Sequence, residues 1–206
     1  MTKLQRNKIE LPISSVYSAL ETKSLKQVFI ESARLIRADI IETTQTNLLE
    51  TLTELIKEIP PEKVLSSIER GNTDLDEWLQ VNTTTWNPVL GSQNIQHAEQ
   101  ATIGLTYCDH ALAESGTVVL LNENNKGRSV SLLPEIHIVL IPTKSIIPRL
   151  QESMTMLSER IKQKKPFPTC INYISGPSNS ADIESYLVVG VHGPLRTIYV
   201  IIDEDN

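Results

Sequence analysis

Cysteine is scarce in this chain: two residues, Cys108 and Cys170, in 206. A disulfide framework is therefore not expected, and a reducing cytoplasm suits the composition better than an oxidising compartment. An iron–sulfur cluster of the usual kind takes about four cysteine thiolates, so this chain is not expected to hold one alone. Basic residues are outnumbered, 19 Lys and Arg against 25 Asp and Glu, for a net charge of -6. That balance argues against nucleic-acid binding or attachment to an anionic membrane, both of which use a clustered basic surface. The longest basic cluster, Lys162-Gln163-Lys164-Lys165, falls where a helix is expected to end, and cations there complement the helix dipole. No apolar run approaches the ~18 residues of a membrane-spanning helix, and the polar stretch from Met1 to Glu10 lacks the apolar core of a secretory signal. Metal-binding spacings are missing, as are a Gly-x-Gly-x-x-Gly fingerprint, a P-loop and a nucleophile elbow.

What is present is an alternation of helical stripes with short apolar runs. Residues 1–23 are expected to be loosely ordered, and a single domain is expected over 24–206. Ser24-x-x-Gln27 has the form of a capping box, and Leu25, Val28, Phe29, Ala33, Ile36 and Ile40 follow as a helical stripe. Leu48, Leu49, Leu52, Leu55, Ile56 and Ile59 give a second helix, boxed by Asn47 and Glu50 and stopped by Pro60-Pro61. Lys63 to Ile68 reads as a strand, 69–75 as a polar turn, and Asp76 to Gln80 as a short helix. Ala101 to Thr106 reads as a buried strand, Asp109 to Ala113 as a helical segment, and Thr117 to Leu121 as a β-branched strand entering a hairpin turn at 122–127. Glu135 to Ile141 is another strand, and Ser145 to Lys162 the clearest helix. Strands are expected again at Thr169 to Ile174 and Arg196 to Ile202. This order predicts an α/β fold with a mixed or mostly parallel sheet flanked by helices. In such sheets ligands bind beyond the carboxyl ends of strands, so the segments that follow strands carry the functional candidates.

Four constellations stand out, the second holding both Gly127-Arg128 and Leu133-Pro134-Glu135-Ile136-His137. In Ala113-Glu114-Ser115-Gly116-Thr117, Gly116 permits a sharp turn, and Glu114 is either a solvated turn residue or an acid, base or nucleophile. Arg128, after Gly127, is either a surface ion-pair partner or a bidentate grip for a carboxylate. His137, inside a strand, is either a hydrogen-bonded core residue or a proton carrier. The run Ser175-Gly176-Pro177-Ser178-Asn179-Ser180-Ala181-Asp182 is expected to open a short helix. Its Ser178 and Asp182 are either capping groups or, with the exposed N–H groups, an anion site. Finally, Gly190-Val191-His192-Gly193-Pro194 places a histidine between glycines in a loop, where it is either a plain turn residue or a proton donor and acceptor. Cys108 is expected to be a small core hydrophobe.

These segments, in this order over roughly residues 98–202, resemble the lactate-utilization (LUD-domain) family. The resemblance runs through Ala101-Thr102-Ile103-Gly104-Leu105-Thr106-Tyr107-Cys108-Asp109-His110-Ala111-Leu112-Ala113-Glu114-Ser115-Gly116-Thr117-Val118-Val119-Leu120, Gly127-Arg128, Leu133-Pro134-Glu135-Ile136-His137-Ile138, Gly176-Pro177-Ser178, Ala181-Asp182-Ile183-Glu184 and Gly190-Val191-His192-Gly193-Pro194. It implies a fold akin to the ribose-phosphate isomerase, glucosamine-phosphate deaminase and CoA-transferase group. It also implies a place in a complex that oxidises L-lactate to pyruvate beside iron–sulfur partners, which carry the clusters while this chain binds no cofactor alone. On that expectation Glu114 and His192 handle a proton, and Arg128, His137, Gly116, Thr117, Ser178, Asp182 and Gly193 bind a small carboxylate or phosphate. Ser115 stands where the family more often has Thr, and Asn179-Ser180 where Arg-Thr is more typical, which weakens an anion-binding role for Asn179. Two other classes stay open: a stand-alone isomerase or CoA-transferase-like enzyme using Glu114, and a non-catalytic sensor or scaffold for an anionic metabolite.

Overall fold

The computed structural model describes residues 24–68, 71–123, 126–183 and 186–205, the side chains of 181–183 and 186 excepted. The expectation for residues 1–23 lies outside them. The Ser24 hydroxyl accepts from Gln27 N and opens α1 (Leu25–Leu35). The helix stops before the end of its apolar stripe: Arg37 takes a positive φ of 64°, and the chain turns into β1 (Asp39–Thr44). Ile40, which continues the helical spacing, therefore lies in a strand. α2 (Leu48–Ile56) starts at Asn47 without a side-chain cap bond, so the box expected from Asn47 and Glu50 does not form.

Then come β2 (Val64–Ser67), α3 (Thr73–Asn82), β3 (Thr84–Thr85), α4 (Gln93–Gln100) and β4 (Ile103–Tyr107). They are followed by β5 (His110–Leu112), β6 (Thr117–Asn122), the single turn α5 (Ser129–Leu132), β7 (Ile136–Pro142) and β8 (Ile146–Ile147). The chain closes with α6 (Leu150–Lys162), β9 (Cys170–Ile174), a small antiparallel hairpin of β10 (Asn179–Ile183) and β11 (Tyr186–Val189), and β12 (Arg196–Asp203).

A six-stranded sheet, order β1-β12-β7-β4-β2-β3, is parallel throughout. Its central strands are continuous apolar runs because both faces are covered. On one face, Leu48, Leu52, Ile56, Leu75 and Leu79 of α2 and α3 pack on Ile103, Leu105, Ile138, Leu140, Ile198 and Val200. On the other, Val139, Ile141, Tyr199 and Ile201 meet Phe29 and Ala33 of α1 and Val118 and Leu120 of a second sheet. That second sheet has the order β8-β5-β6-β9, and its outer side is covered by α6 through Leu157. Among the described residues no helix is long and apolar enough to cross a membrane.

Four sequence expectations need correction. Asp109 to Ala113 is not helical. The segment holds β5, whose three residues pair antiparallel with β6 and whose Ala111 and Leu112 pair parallel with β8. The last helix begins at Leu150, because Ile146-Ile147 is drawn off as β8, and Pro148 lies outside the helix. The turn after β6 does not make a hairpin with the next element but leads into α5, while β6 pairs back with β5 and forward with β9. The 175–184 run opens no helix: Asn179–Ile183 is a strand, so the helix N-terminus expected to present N–H groups at Ser178 and Asp182 is not formed. β5, β8 and β10 are short segments that took their conformation from a strand beside them rather than from their own periodicity.

Candidate functional site

The segments following β1, β2 and β4 meet at the carboxyl rim of the parallel sheet around a cleft of about 400 Å³. Its polar lining comes from Gln45 after β1, Asn72 at the head of α3, Tyr107 and Asp109 at the end of β4, and Lys126 before α5. Leu48 and Leu75 supply apolar wall from α2 and α3. Asp109 is held at both oxygens: Oδ2 accepts from Leu121 N at 2.7 Å and Oδ1 from Lys126 Nζ at 3.1 Å. The Lys126 side chain is 14% exposed, so a partly desolvated ammonium sits against the carboxylate that orients it. Asn72 Oδ1 accepts from Leu75 N and caps α3, which leaves its amide nitrogen at the cleft. Burial raises the Tyr107 phenol, with Cys108 adding to the shift, so the ring presents a neutral hydroxyl. Cys108 is 2% exposed, and burial pushes its thiol up to about 12, the inert core behaviour expected of it.

Glu114 lies beside α1 rather than in this cleft. Its Oε2 is 3.5 Å from Arg149 Nε, and its carbonyl accepts from the Ser32 hydroxyl at 3.2 Å. Gly116, at φ +62°, is obligatory: a Cβ there would come within 2.6 Å of the Ala33 backbone. Thr117 Oγ1 is 2.7 Å from both Ser115 Oγ and Ser175 Oγ. The next residue, Gly176, donates its N–H to the Tyr199 hydroxyl. Ser178 N donates to Pro194 O and its carbonyl accepts from Gly190 N, while a Cβ on Gly193 would sit 3.2 Å from Ser178 Cβ. Gly116, Thr117, Ser178 and Gly193 are thus linked through residues 175–176 into one stretch, which reaches the amino ends of β7 and β12 where Leu195 N bonds Glu135 O.

His137 is fully buried in β7, with Nε2 2.8 Å from Thr106 Oγ1. Burial pushes its pKa down to about 3, so the ring is neutral. Arg128 is exposed at the head of α5, and His192 is exposed in the turn before β12. The side chain of Asp182 lies outside the described residues. Among the described residues, no hydrogen bond or ion pair joins Glu114, Arg128, His137 and His192 into one group.

The rim residues Asp109, Lys126, Asn72, Gln45 and Tyr107 were not among the sequence candidates. A signal for two of them did exist: Tyr107 and Asp109 stand at the end of a buried strand, where open α/β sheets place ligands. The remainder come from loops and helix starts that only the topology gathers.

A parallel α/β sheet, doubly covered and carrying a polar cleft at its carboxyl rim, defines the class of protein. The chain belongs to the LUD-domain family, whose profile matches residues 26–202. It is 39% identical over 194 residues to the lactate utilization protein C of Macrococcus caseolyticus, covering 94% of this chain and 84% of that protein. It is 42% identical to lactate utilization protein C 1 of Bacillus mycoides, covering 94% and 85%. To lactate utilization protein C of Bacillus subtilis it is 39% identical over 178 residues, covering 82% and 74%. In fold it is similar to a DUF162-family protein from Deinococcus radiodurans, with TM-score 0.60 and 16% identity over 86% of this chain and 96% of that one.

Proposed function

We propose that this chain serves lactate utilization as an accessory, ligand-binding subunit that works beside iron–sulfur partner proteins in oxidising L-lactate to pyruvate. The observation that carries the proposal is the likeness to proteins named lactate utilization protein C, which extends over 94% of the chain and so includes both covered faces of the sheet and the cleft. The chemistry agrees with a division of labour. Converting lactate to pyruvate removes a hydride equivalent and a proton, and no protein side chain accepts a hydride. The electron acceptor therefore belongs to a cofactor or a partner. In this reading the clusters belong to the partners: this chain has two cysteines, Cys108 buried after β4 and Cys170 at the start of β9.

The rim cleft is the ligand site in this proposal. Its volume lies at the small end of small-molecule pockets. Lys126 offers an ammonium to a carboxylate, Asn72 an amide donor, and Asp109 orients the cation. Arg128 and His192, both exposed, are the further groups able to meet an anion or exchange a proton at the surface.

The test is reconstitution. Purified iron–sulfur partners are assayed for lactate-dependent dye reduction with and without this chain; a full rate without it refutes the proposal. Lys126→Met is expected to weaken lactate or pyruvate binding by about 10–100-fold, the loss of one hydrogen bond between charged groups, read by calorimetry.

A further inference from the structure

The two sheets enclose a layer that is apolar at its centre and polar at one end. Side chains alternate along a strand, and Val139, Ile141, Tyr199 and Ile201 face this layer. His137 and Thr197, each two residues earlier on the same strand face, therefore point into it too, and they are register partners on neighbouring strands. From the second sheet, Val118, Leu120 and Ile174 face the same layer, which brings in Asn122 and Asn172 by the same alternation. Leu120 and Asn172 are themselves register partners. The Tyr199 hydroxyl, bonded to Gly176 N at 3.0 Å and Ile174 O at 3.3 Å, fixes where β9 crosses β12.

Four side-chain atoms in this layer are buried without a hydrogen-bond partner: His137 Nδ1, Thr197 Oγ1, Asn122 Nδ2 and Asn172 Nδ2. His137 and Thr197 are 0% exposed and Asn122 6%. Among the described residues the other such side-chain atom, Glu152 Oε2, belongs to α6, beyond the second sheet. Buried polar groups without partners are rare and each costs about 1–3 kcal/mol, so four on the facing sides of one layer call for an occupant.

Their chemistry selects its kind. The orientation of Asn172 is set by the Cys170 thiol, which donates to Oδ1 and leaves Nδ2 over. A carboxamide nitrogen only donates, and a threonine hydroxyl can donate. If the Thr106 hydroxyl donates to Nε2, Nδ1 of the neutral His137 carries the proton and donates as well. A carboxylate, which has acceptor sites alone, can meet all four groups as donors, whereas a water molecule would need the Thr197 hydroxyl as acceptor for a hydrogen of its own.

We propose that this inter-sheet layer binds a small monocarboxylate through neutral donors from Asn122, Asn172, His137 and Thr197, with entry past β9, the edge strand of its sheet. None of the four lines the rim cleft, and the proposal does not rest on lactate being the physiological ligand.

The experiment uses the full chain with acetate, pyruvate and L-lactate as probes in calorimetric titrations, together with ¹⁵N NMR of the His137 ring. Saturable binding of at least one probe is expected, weakened about tenfold or more by the near-isosteric Thr197→Val and by Asn172→Leu, and left unchanged by Lys57→Met, in an exposed ion pair at the end of α2. The ring is expected as the Nδ1–H tautomer. Binding of no probe, binding lost only in Lys126→Met, an Nε2–H ring, or a high-resolution structure with ordered water alone on these atoms overturns it. Acetate binding that depends on Thr197 without any binding of lactate would retain this site and count against the lactate proposal, so the two fail separately.

Discussion

Tyr199→Phe isolates the device that ties the motif-bearing segment 174–178 to the main sheet. Tyr199 is fully buried and stacks on Phe29 with ring centroids 5.7 Å apart. Its hydroxyl accepts from Gly176 N at 3.0 Å and donates to Ile174 O at 3.3 Å. Phenylalanine keeps the ring, the stack and nearly all the buried apolar area, so the transfer contribution is almost unchanged. What is lost is a hydroxyl, leaving the Gly176 N–H without its acceptor, at a cost of about 1–3 kcal/mol. With a urea m-value of about 1–3 kcal/mol/M, the midpoint should fall by roughly 0.3–3 M while m stays constant. Amide hydrogen exchange should show Gly176 losing protection before the strand it follows. Phe29→Ala serves as contrast: it removes packing instead and should cost about 3–5 kcal/mol. A Tyr199→Phe variant with an unmoved midpoint and full Gly176 protection would refute the assignment of that hydroxyl as the anchor.

Gly104→Ala should be among the costliest small substitutions, because a Cβ there would overlap the Val130 carbonyl oxygen and press on Pro134. Lifting α5 off β4 should cost about 3 kcal/mol, a fall in Tm of roughly 6–12 °C for a chain of this size; a loss under about 2 °C would show the contact to be soft. His137 has its folded pKa pushed down to about 3 by burial, below the unfolded value of about 6.5. Between those values the unfolded chain binds the extra proton, so stability is full above about pH 6.5 and falls as pH is lowered toward 3. From pH 6.5 to 4.5 the contribution is about 2–3 kcal/mol, and His137→Gln should flatten the pH dependence by that amount; identical slopes would contradict the burial argument. Cys108, buried and with its thiol pushed up to about 12, should resist iodoacetamide in the native state while the partly exposed Cys170 is alkylated, as peptide mass spectrometry would show.

Long elements with a consistent period were legible in the chain itself. The Ser24 start of α1, the apolar face of α2, and the β-branched run of β6 follow from local chemistry, and so does β7, buried from His137 on in its seven-residue span Ile136–Pro142. Short elements were not. β5 and β8 have three and two residues, too few for any period to register, and they exist because each lies beside a partner strand that satisfies its backbone. β1 was hidden because Ile36 and Ile40 extend a helical spacing across a turn that Arg37 makes at positive φ. Of the candidate site residues, the glycines carried the firmest sequence signal. Gly116 is needed for the close approach of two backbone segments, and a Cβ on Gly193 would press on Ser178 Cβ at 3.2 Å. Charged candidates were another matter, since a glutamate or an arginine has no pattern that reveals which partner it will meet. Glu114 meets Arg149, thirty-five positions on.

The amino-acid sequence alone determined the α/β class, the family, and which residues are apolar enough to form buried strands, because hydrophobic period and turn chemistry act within a few residues. It also determined that the given sequence carries two thiols, Cys108 and Cys170. Only the tertiary structure decided that Asp109 and Lys126 share a cleft with Asn72, and that buried polar side chains from β6, β7, β9 and β12 face one layer. Those groupings depend on strand order and on the angle at which the second sheet crosses the first. Both are set by the summed packing of distant side chains rather than by any local stretch of chain.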